Sequence, residues 1–325
     1  MEEEAKGGNS ISESPLRIVF MGTSDFAVPA LQKLVDAGED VLLVVTQPDR
    51  PKGRGKKLAP PPVKVLAERL GIEVYQPEKV KSPEAVERIA APGADCLVVT
   101  AYGQLLPRPL LEGHPLGALN IHGSLLPELR GAAPIQRAIL EGRDLTGVSI
   151  MLLDAGMDTG PVLSRRETLI GSQEPFGALH DRMSAMGADL LAETLPRWRA
   201  GALTPEPQDE ASATYAPPIS KQELRIMWSE PAHRIVNAIR AFDPAPGAFA
   251  FCAEKRLKLF GATLQPWKSQ GAPGEIVGQS EEGLVVLGGD GRTLSIGQIQ
   301  LEGQRRLSAG DVLRGRSLAI GAQLE

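Results

Sequence analysis

The chain of 325 residues is 42 % hydrophobic and 23 % charged, which is ordinary for a soluble globular protein and long enough for two domains. No apolar run approaches the roughly 18 residues that a membrane span requires, and Cys96 and Cys252 form neither a metal-binding spacing nor a disulfide framework. These features argue against a membrane protein and predict a cytoplasmic protein that needs no metal. The net charge of −5 argues against a general nucleic-acid coat protein, although residues 221–325 carry more basic than acidic groups.

Strand and helix patterns alternate after an acidic, polar stretch at residues 1–15, which is predicted to be a disordered leader rather than a secretory signal. Short apolar runs predict four buried strands, at residues 16–22, 41–47, 95–103 and 117–122. Apolar residues at helical spacing predict helices after the first, second and fourth of these. Two further strands, "GVSIMLLD" and "PVLSRRETLI", precede a helix from Phe176 to about Trp198. This alternation predicts an α/β catalytic domain at residues 16–203, with a Rossmann-like, doubly wound and mostly parallel sheet.

The amino-acid composition of the chain changes after this domain. Residues 204–222 are rich in Pro, Ser, Thr and acidic residues and are predicted to be a linker. Residues 223–325 contain one helical segment, "EPAHRIVNAIRAF", and then five short strand-like runs separated by Gly-rich turns. Such runs predict a small antiparallel domain, an OB-like β-barrel.

The stretch "ALNIHGSLLPELRGAAPIQRAIL" contains an amide and an imidazole near the end of a predicted strand. Residues two apart in a strand face the same side, so Asn120 and His122 are expected to point together into the crevice at the sheet edge. An amide N–H beside an imidazole suits the stabilisation of an oxygen that becomes negative while a proton moves nearby. The pair therefore predicts acyl-transfer chemistry, against the alternative of two structural residues.

A carboxylate is still needed to orient the imidazole and to relay a proton. The best candidate is Asp158 in the loop "LDAGMDTGP", where two glycines leave the backbone open to a ligand, and Asp154 is the alternative. Ser124 is not expected to be the nucleophile, because no base and orienting group are evident around it; a substrate amine could attack instead. The remaining histidines are interpreted as surface or packing residues: His114, His180 and His233.

A second notable stretch is the basic loop, "QPDRPKGRGKKLAPPP" at residues 47–62. It sets five basic side chains against the single acid Asp49: Arg50, Lys52, Arg54, Lys56 and Lys57. Its glycines and prolines predict a loop rather than a helix. A solvated surface loop is one interpretation. The other is a flexible arm that binds phosphates of a nucleic acid at the same edge of the sheet as Asn120.

Several stretches together resemble the formyltransferase family that uses 10-formyltetrahydrofolate, and in particular its tRNA-dependent branch. They appear in the family's order between about Leu16 and Gly310: "FMGTSDFAVPAL", "TQPDRPKGRGKKL", "PVKVLAE", "VTAYGQLLP", "LNIHGSLLPELRGAAPIQRAI", "DAGMDTGP" and "TYAPPISKQELRIMW". The chain departs from the family's pattern in the linker and the C-terminal part and after the histidine motif: at Glu128, Leu129, Pro218, Met227 and Ala245.

The resemblance implies that the formyl group of 10-formyltetrahydrofolate, the cosubstrate, passes to the α-amine of initiator methionyl-tRNA. It implies that Asn120 and His122 stabilise the tetrahedral intermediate, while Asp158 assists His122 and helps to relay protons through water. It also implies that a folate pocket is lined largely by backbone groups of four consecutive residues: Ser124, Leu125, Leu126 and Pro127. The basic loop would insert into the tRNA acceptor stem, and the C-terminal domain would supply a basic face. A monomer is expected.

Three alternatives remain. A formyltransferase for a small amine, such as an amino sugar nucleotide or glycinamide ribonucleotide, would need neither the basic loop nor the barrel. A nucleotide-dependent oxidoreductase is disfavoured because "MGTSDF" has one glycine where the dinucleotide fingerprint has three. A non-catalytic RNA-binding module would leave the polar side chains at the sheet edge without a purpose.

Overall fold

The computed structural model describes residues 14–52, 57–315 and 318–325. The predicted leader therefore lies outside the described residues except for its last two positions, and Arg54 and Lys56 of the basic loop also lie outside them. Every helix in the described part is too short or too polar to cross a lipid bilayer.

The strands are numbered in chain order. They are β1 (Arg17–Gly22), β2 (Asp40–Val45), β3 (Arg50–Lys52), β4 (Lys57–Ala59), β5 (Val74–Tyr75), β6 (Cys96–Thr100), β7 (Ala118–His122), β8 (Arg130–Gly131), β9 (Leu145–Leu152), β10 (Val162–Leu169), β11 (Tyr215–Ala216), β12 (Ala248–Cys252), β13 (Lys255–Lys268), β14 (Ile276–Ser280), β15 (Gly283–Leu287), β16 (Arg292–Leu301) and β17 (Leu307–Ser308).

The α-helices are numbered in the same way. They are α1 (Val28–Asp36), α2 (Pro62–Arg69), α3 (Pro83–Ala90), α4 (Arg108–Glu112), α5 (Pro134–Leu140), α6 (Phe176–Arg199), α7 (Ala232–Ala241) and α8 (Ala309–Arg314). A proline at the first or second position begins α1 to α5, where its missing N–H costs no helical hydrogen bond.

The described residues form two compact units, each built from separate stretches of the chain. Of the described residues, the first contains those from 14 to 122, Val148–Arg166 and Ser184–Glu210; the second contains Gly123–Gly147, Glu167–Met183 and those from 211 to 325. Because the units do not follow the order of the chain, the domain boundaries predicted at residues 204–222 stay a prediction.

A seven-stranded sheet has the order β10, β9, β7, β6, β1, β2, β5. The pairs β1–β2, β1–β6, β6–β7 and β2–β5 are parallel, whereas β7 and β9 are antiparallel. The predicted α/β, Rossmann-like and mostly parallel sheet is therefore confirmed.

The central strand β1 shows why the apolar runs become strands. Residues 18–21 are all 0 % exposed, although successive side chains point to opposite faces of the sheet. On one face Val19 and Met21 pack in a cluster with Leu97 and Val99 of β6. Both faces are covered, as parallel sheets require, so the ends of the strands remain the place for polar side chains.

The basic loop differs from its prediction. Its two flanks form short strands, β3 and β4, which pair antiparallel around residues 53–56, outside the described part. The base of this hairpin is anchored by Asp49, whose carboxylate accepts hydrogen bonds from Gln76 Nε2 (2.8 Å) and Lys64 Nζ (3.0 Å). The hydrogen bond from Gln76 and then that from Lys64 lower the pKa of Asp49. Because these hydrogen bonds hold the base of the hairpin, β3 and β4 can pair despite their proline and lysine residues.

An antiparallel sheet in the second unit has the order β12, β13, β16, β15, β14, and β17 also pairs with β16. The end of the chain joins its two edges. Phe251 of β12 exchanges two backbone hydrogen bonds with Glu325 (both 2.8 Å), and Ile276 of β14 donates to the carbonyl of Ala322 (2.9 Å). The predicted antiparallel domain is confirmed. Its backbone hydrogen bonds run from β12 through the sheet to β14 and then through the last residues back to β12. Its assignment as an OB-like barrel stays a prediction.

The second half of the predicted linker is held in place. The strand β11 pairs in parallel with β8. Arg137 of α5 donates to the carbonyls of Pro217 (3.1 Å) and Pro218 (3.2 Å) and forms an ion pair with Glu223. These contacts join residues 215–223 to β8 and α5 within the second unit.

The Glu223 carboxylate predicts a pH dependence of stability. Chiefly the hydrogen bond from Arg137 lowers the pKa of Glu223 from 4.5 to about 2. A lowered folded-state pKa stabilises the protein above the unfolded value, and this stabilisation is lost as the pH falls from about 4.5 towards 2. We expect Glu223→Gln to lower the free energy of unfolding by at most about 1 kcal/mol at neutral pH, because solvent screens the partly exposed pair. The difference should shrink below about pH 4.

Urea unfolding at neutral and acidic pH measures this difference. Glu281→Gln, at an exposed position, is the matched control. Its difference in free energy of unfolding from the unaltered chain should not change with pH. If Glu223→Gln differs from the unaltered chain by the same free energy of unfolding at both pH values, the role of the ion pair is contradicted.

Candidate active site

Asn120 and His122 lie at the carboxyl end of β7, between β6 and β9. As alternate residues of one strand they project to one face, whereas Ile121 is buried at 4 % exposure. Asn120 is half-buried and His122 is 6 % exposed. The strand thus presents an amide and an imidazole side by side at the sheet edge.

The structure adds a residue that the sequence analysis missed. Ser149 of β9 is the direct cross-strand partner of His122 and is fully buried. Directly opposed residues of antiparallel strands project to the same face, so the Ser149 side chain lies on the face of the sheet that carries the imidazole. Only the register of β7 with β9 reveals this neighbour, and no local sequence pattern reports that register.

Asp158 lies in the loop between β9 and β10, close to the histidine. Its Oδ2 is 3.7 Å from Nδ1 of His122, and the two side chains are 16 % and 6 % exposed. This separation places the Asp158 carboxylate within ion-pair distance of the His122 ring.

Asp154, the alternative orienting residue, is engaged inside its own loop. Its carboxylate accepts hydrogen bonds from the backbone N–H of Gly156 (3.0 Å) and from the hydroxyl of Thr159 (2.7 Å). This is the arrangement of a turn-forming aspartate. Of the two candidate acids, Asp158 is therefore the one with a structural contact to His122.

The two glycines of this loop have a different role from the predicted one. A Cβ atom on Gly156 would lie 2.0 Å from Oγ1 of Thr159, and one on Gly160 would lie 1.9 Å from the carbonyl oxygen of Leu152. The space beside both glycines is thus taken by the protein itself. They allow the loop to fold tightly rather than leave it open to a ligand.

The segment predicted to line the folate pocket belongs to the second unit and forms a turn. The hydroxyl of Ser124 donates to the carbonyl of Glu128 (2.5 Å), and the N–H of Glu128 donates to the carbonyl of Leu125 (3.1 Å). Leu126 is 2 % exposed, while Leu125 and Pro127 are half-buried. Ser124 therefore has a hydrogen bond within the turn.

One basic residue of the loop is fully described. Arg50 is exposed, and its guanidinium lies 3.7 Å from the carboxylate of Glu78, a surface contact that contributes little stability. The side chains of Lys52 and Lys57, like Arg54 and Lys56, fall outside the described part of the structure. Their contact with tRNA stays a prediction.

The residues interpreted as structural have packing or surface environments. His114 is buried with Nδ1 3.1 Å from the carbonyl of Ala94, and His233 is exposed. His180 is half-buried in α6, and its Nδ1 lies 2.9 Å from the carboxylate of Asp181. Burial raises the pKa of the Cys96 thiol to about 12, so it carries no thiolate at neutral pH.

Two family models match the chain. The model described as formyl transferase covers residues 16–195, and the model described as formyl transferase, C-terminal domain, covers residues 218–317. The chain is also 50 % identical to the methionyl-tRNA formyltransferase of Citrifermentans bemidjiense, over 95 % of this chain and 96 % of that protein. This chain belongs to the methionyl-tRNA formyltransferase family. The family predicted from the motifs is thereby confirmed.

Another member of the family and two more distant solved structures are also similar to this chain. The methionyl-tRNA formyltransferase of Geobacter metallireducens is 48 % identical over 95 % of this chain and 98 % of that protein. A crystal structure of HypX from Aquifex aeolicus in complex with tetrahydrofolic acid is 18 % identical, with a TM-score of 0.66 over 94 % of this chain and 48 % of HypX.

An N-formyltransferase from Helicobacter canadensis, in complex with folinic acid and dTDP-3-aminofucose, is 16 % identical with a TM-score of 0.62. It covers 90 % of this chain and 100 % of its own. At such identities the two solved structures establish the shared fold alone.

Proposed function

We propose that this chain transfers the formyl group of 10-formyltetrahydrofolate to the α-amine of methionine on initiator methionyl-tRNA. The observation that carries the proposal is the grouping of Asn120, His122 and Asp158 at one end of the sheet, with 3.7 Å between Nδ1 of His122 and Oδ2 of Asp158. Membership of the family supports the choice of acceptor.

Each side chain of this group has a task in the reaction. The Asn120 amide and the His122 ring donate hydrogen bonds to the formyl oxygen, which becomes negative as the amine nitrogen bonds to the formyl carbon. The Asp158 carboxylate keeps the ring oriented. His122 and Asp158 then move the proton that the amine loses to the nitrogen that leaves the carbon. One C–N bond forms and one breaks, with no net proton released.

The turn at residues 124–128 supports binding of the folate donor. Its internal hydrogen bonds and the buried Leu126 hold the backbone in one conformation, and Leu125 and Pro127 offer half-exposed apolar surface. A rigid site of backbone groups and apolar side chains suits a flat ring system that carries amide groups, such as a pterin.

The hairpin formed by β3 and β4 supports binding of tRNA, because its base is anchored at Asp49 and its sequence is strongly basic. We expect Arg54→Ala combined with Lys56→Ala to raise KM for tRNA with a smaller change in kcat. Each lost phosphate contact should lower the slope of log affinity against log salt by about 0.7–0.9.

Steady-state formylation at several salt concentrations measures both effects. Arg108→Ala combined with Arg197→Ala removes two exposed charges elsewhere and serves as the control. Equal KM values for the two double variants would refute the role of the loop and leave the chemistry untouched.

The proposed reaction is tested by incubating the purified chain with 10-formyltetrahydrofolate and charged initiator tRNA and measuring N-formylmethionine. A parallel reaction supplies an amino sugar nucleotide as acceptor. Rapid formylation of the tRNA and none of the sugar is expected. The opposite preference would overturn the proposal in favour of a small-acceptor formyltransferase.

A further inference from the structure

The loop between β9 and β10 carries Asp158 in a backbone conformation that few side chains adopt. Asp158 has φ +56°, in the left-handed region where Cβ crowds a neighbouring carbonyl oxygen. Asp154 holds part of the loop through its hydrogen bonds to Gly156 and Thr159. Those bonds do not engage the carbonyl groups of Asp158 and Gly160.

The side-chain amide of Gln208 engages both of these carbonyls. Its Nε2 donates to the carbonyl oxygen of Asp158 (2.8 Å) and to that of Gly160 (2.7 Å). A carboxamide nitrogen carries two hydrogens, and each has a partner here. Gln208 is 50 residues from Asp158 along the chain, so the contact is tertiary rather than part of a local turn.

The chain that brings Gln208 to the loop is itself docked on β10. Glu206 exchanges two backbone hydrogen bonds with Val162 (both 2.8 Å), and its carboxylate pairs with the guanidinium of Arg165 (2.6 Å). Gln208 follows two residues later. Because its backbone is already placed, only the rotamer freedom of the Gln208 side chain is lost when the amide binds the loop.

We propose that Gln208 is a positioning residue that holds the Asp158 carboxylate against His122, an inference that rests on the proposed function. The amide fixes the direction of the Asp158 carbonyl and so fixes ψ, while φ lies at +56°. With both angles set, the Cα–Cβ bond directs Oδ2 to within 3.7 Å of the imidazole. Without the amide, Asp158 is free to relax to a commoner conformation that turns the carboxylate away.

The test compares Gln208→Glu and Gln208→Met with the control Gln270→Glu in full-length chains. Glu has the shape of Gln, but its ionised carboxylate donates no hydrogen bond and would face two carbonyl oxygens. Met has a similar length and no donor. Gln270 is exposed, so its substitution adds the same charge without a loop contact.

We expect both Gln208 variants to lower kcat for tRNA formylation about 10- to 100-fold at neutral pH. KM for either substrate should change less than about threefold, because the lost interaction acts on the reacting geometry rather than on binding. Gln270→Glu should retain the kcat of the unaltered chain.

The pH dependence separates positioning from a general loss of structure. Below about pH 5 the introduced carboxyl group of Gln208→Glu becomes protonated and again donates one hydrogen bond. The kcat of Gln208→Glu relative to Gln208→Met should therefore rise as the pH is lowered. The titratable and charged groups of the loop and of the segment that carries Gln208 are the same in both variants: His122, Asp154, Asp158, Arg165, Glu206, Asp209 and Glu210.

Thermal unfolding midpoints complete the comparison. The inference is overturned if the Gln208 variants keep the kcat of Gln270→Glu. It is also overturned if their kcat ratio is independent of pH while their unfolding midpoints fall, because Gln208 would then support the fold alone. If the unaltered chain does not formylate methionyl-tRNA, the proposed function itself fails.

Discussion

We expect His122→Ala to form N-formylmethionyl-tRNA with a kcat about 10² to 10⁴ times lower than the unaltered chain. The imidazole is 6 % exposed at the end of β7. In the proposed mechanism it donates to the developing negative oxygen and passes a proton on. Alanine removes both functions. The pairing of β7 with β6 and β9 uses backbone groups, so the strand should keep its position. KM should therefore change much less than kcat.

Initial rates at saturating tRNA and folate donor measure this loss. His233→Ala is the control, because His233 is exposed on α7 and outside the first unit. Asp158→Asn alone should also reduce kcat strongly. The double variant His122→Ala, Asp158→Asn should be little worse than His122→Ala, since residues that act as a unit are not additive. A His122→Ala variant within about threefold of full kcat would refute its catalytic role.

The second large effect is expected from Gly160→Ala. The new methyl carbon would lie 1.9 Å from the carbonyl oxygen of Leu152 and 3.0 Å from its carbon, a contact with backbone that no side-chain rotation relieves. The loop must therefore move, and Asp158 moves with it. We expect a loss of about 1–3 kcal/mol in the free energy of unfolding and a fall in kcat of about 10²-fold.

Gly278→Ala is the matched control for this prediction. Gly278 lies in β14, nothing lies within 4 Å of its added Cβ, and its φ is not in the left-handed region. Urea unfolding should show a change of less than about 0.5 kcal/mol for it, with full formylation activity. If Gly160→Ala loses stability but keeps kcat, the loop does not need its observed shape for catalysis.

Much of the first unit follows from local patterns. The run at residues 18–21 is apolar at every position, which predicts a strand buried on both faces, and the structure buries all four side chains. The spacing of Asn120 and His122 places them on one face of a strand by geometry alone. The basic loop was harder to predict, because its prolines and glycines hide the short pairing of β3 with β4.

By itself, the sequence determined the main buried strands of the sheet, their alternation with helices, and the amide and imidazole at the end of β7. It did not reveal the short strands β3, β4, β8 and β11. Only the tertiary structure placed Ser149 opposite His122, Asp158 at 3.7 Å from the ring, and Gln208 on the loop that carries Asp158. The physical reason is the separation of the contacting residues along the chain. Strand and helix patterns arise from neighbours in the chain, whereas these contacts join segments 27 to 50 residues apart, from His122–Ser149 to Asp158–Gln208, and leave no periodic trace in the sequence.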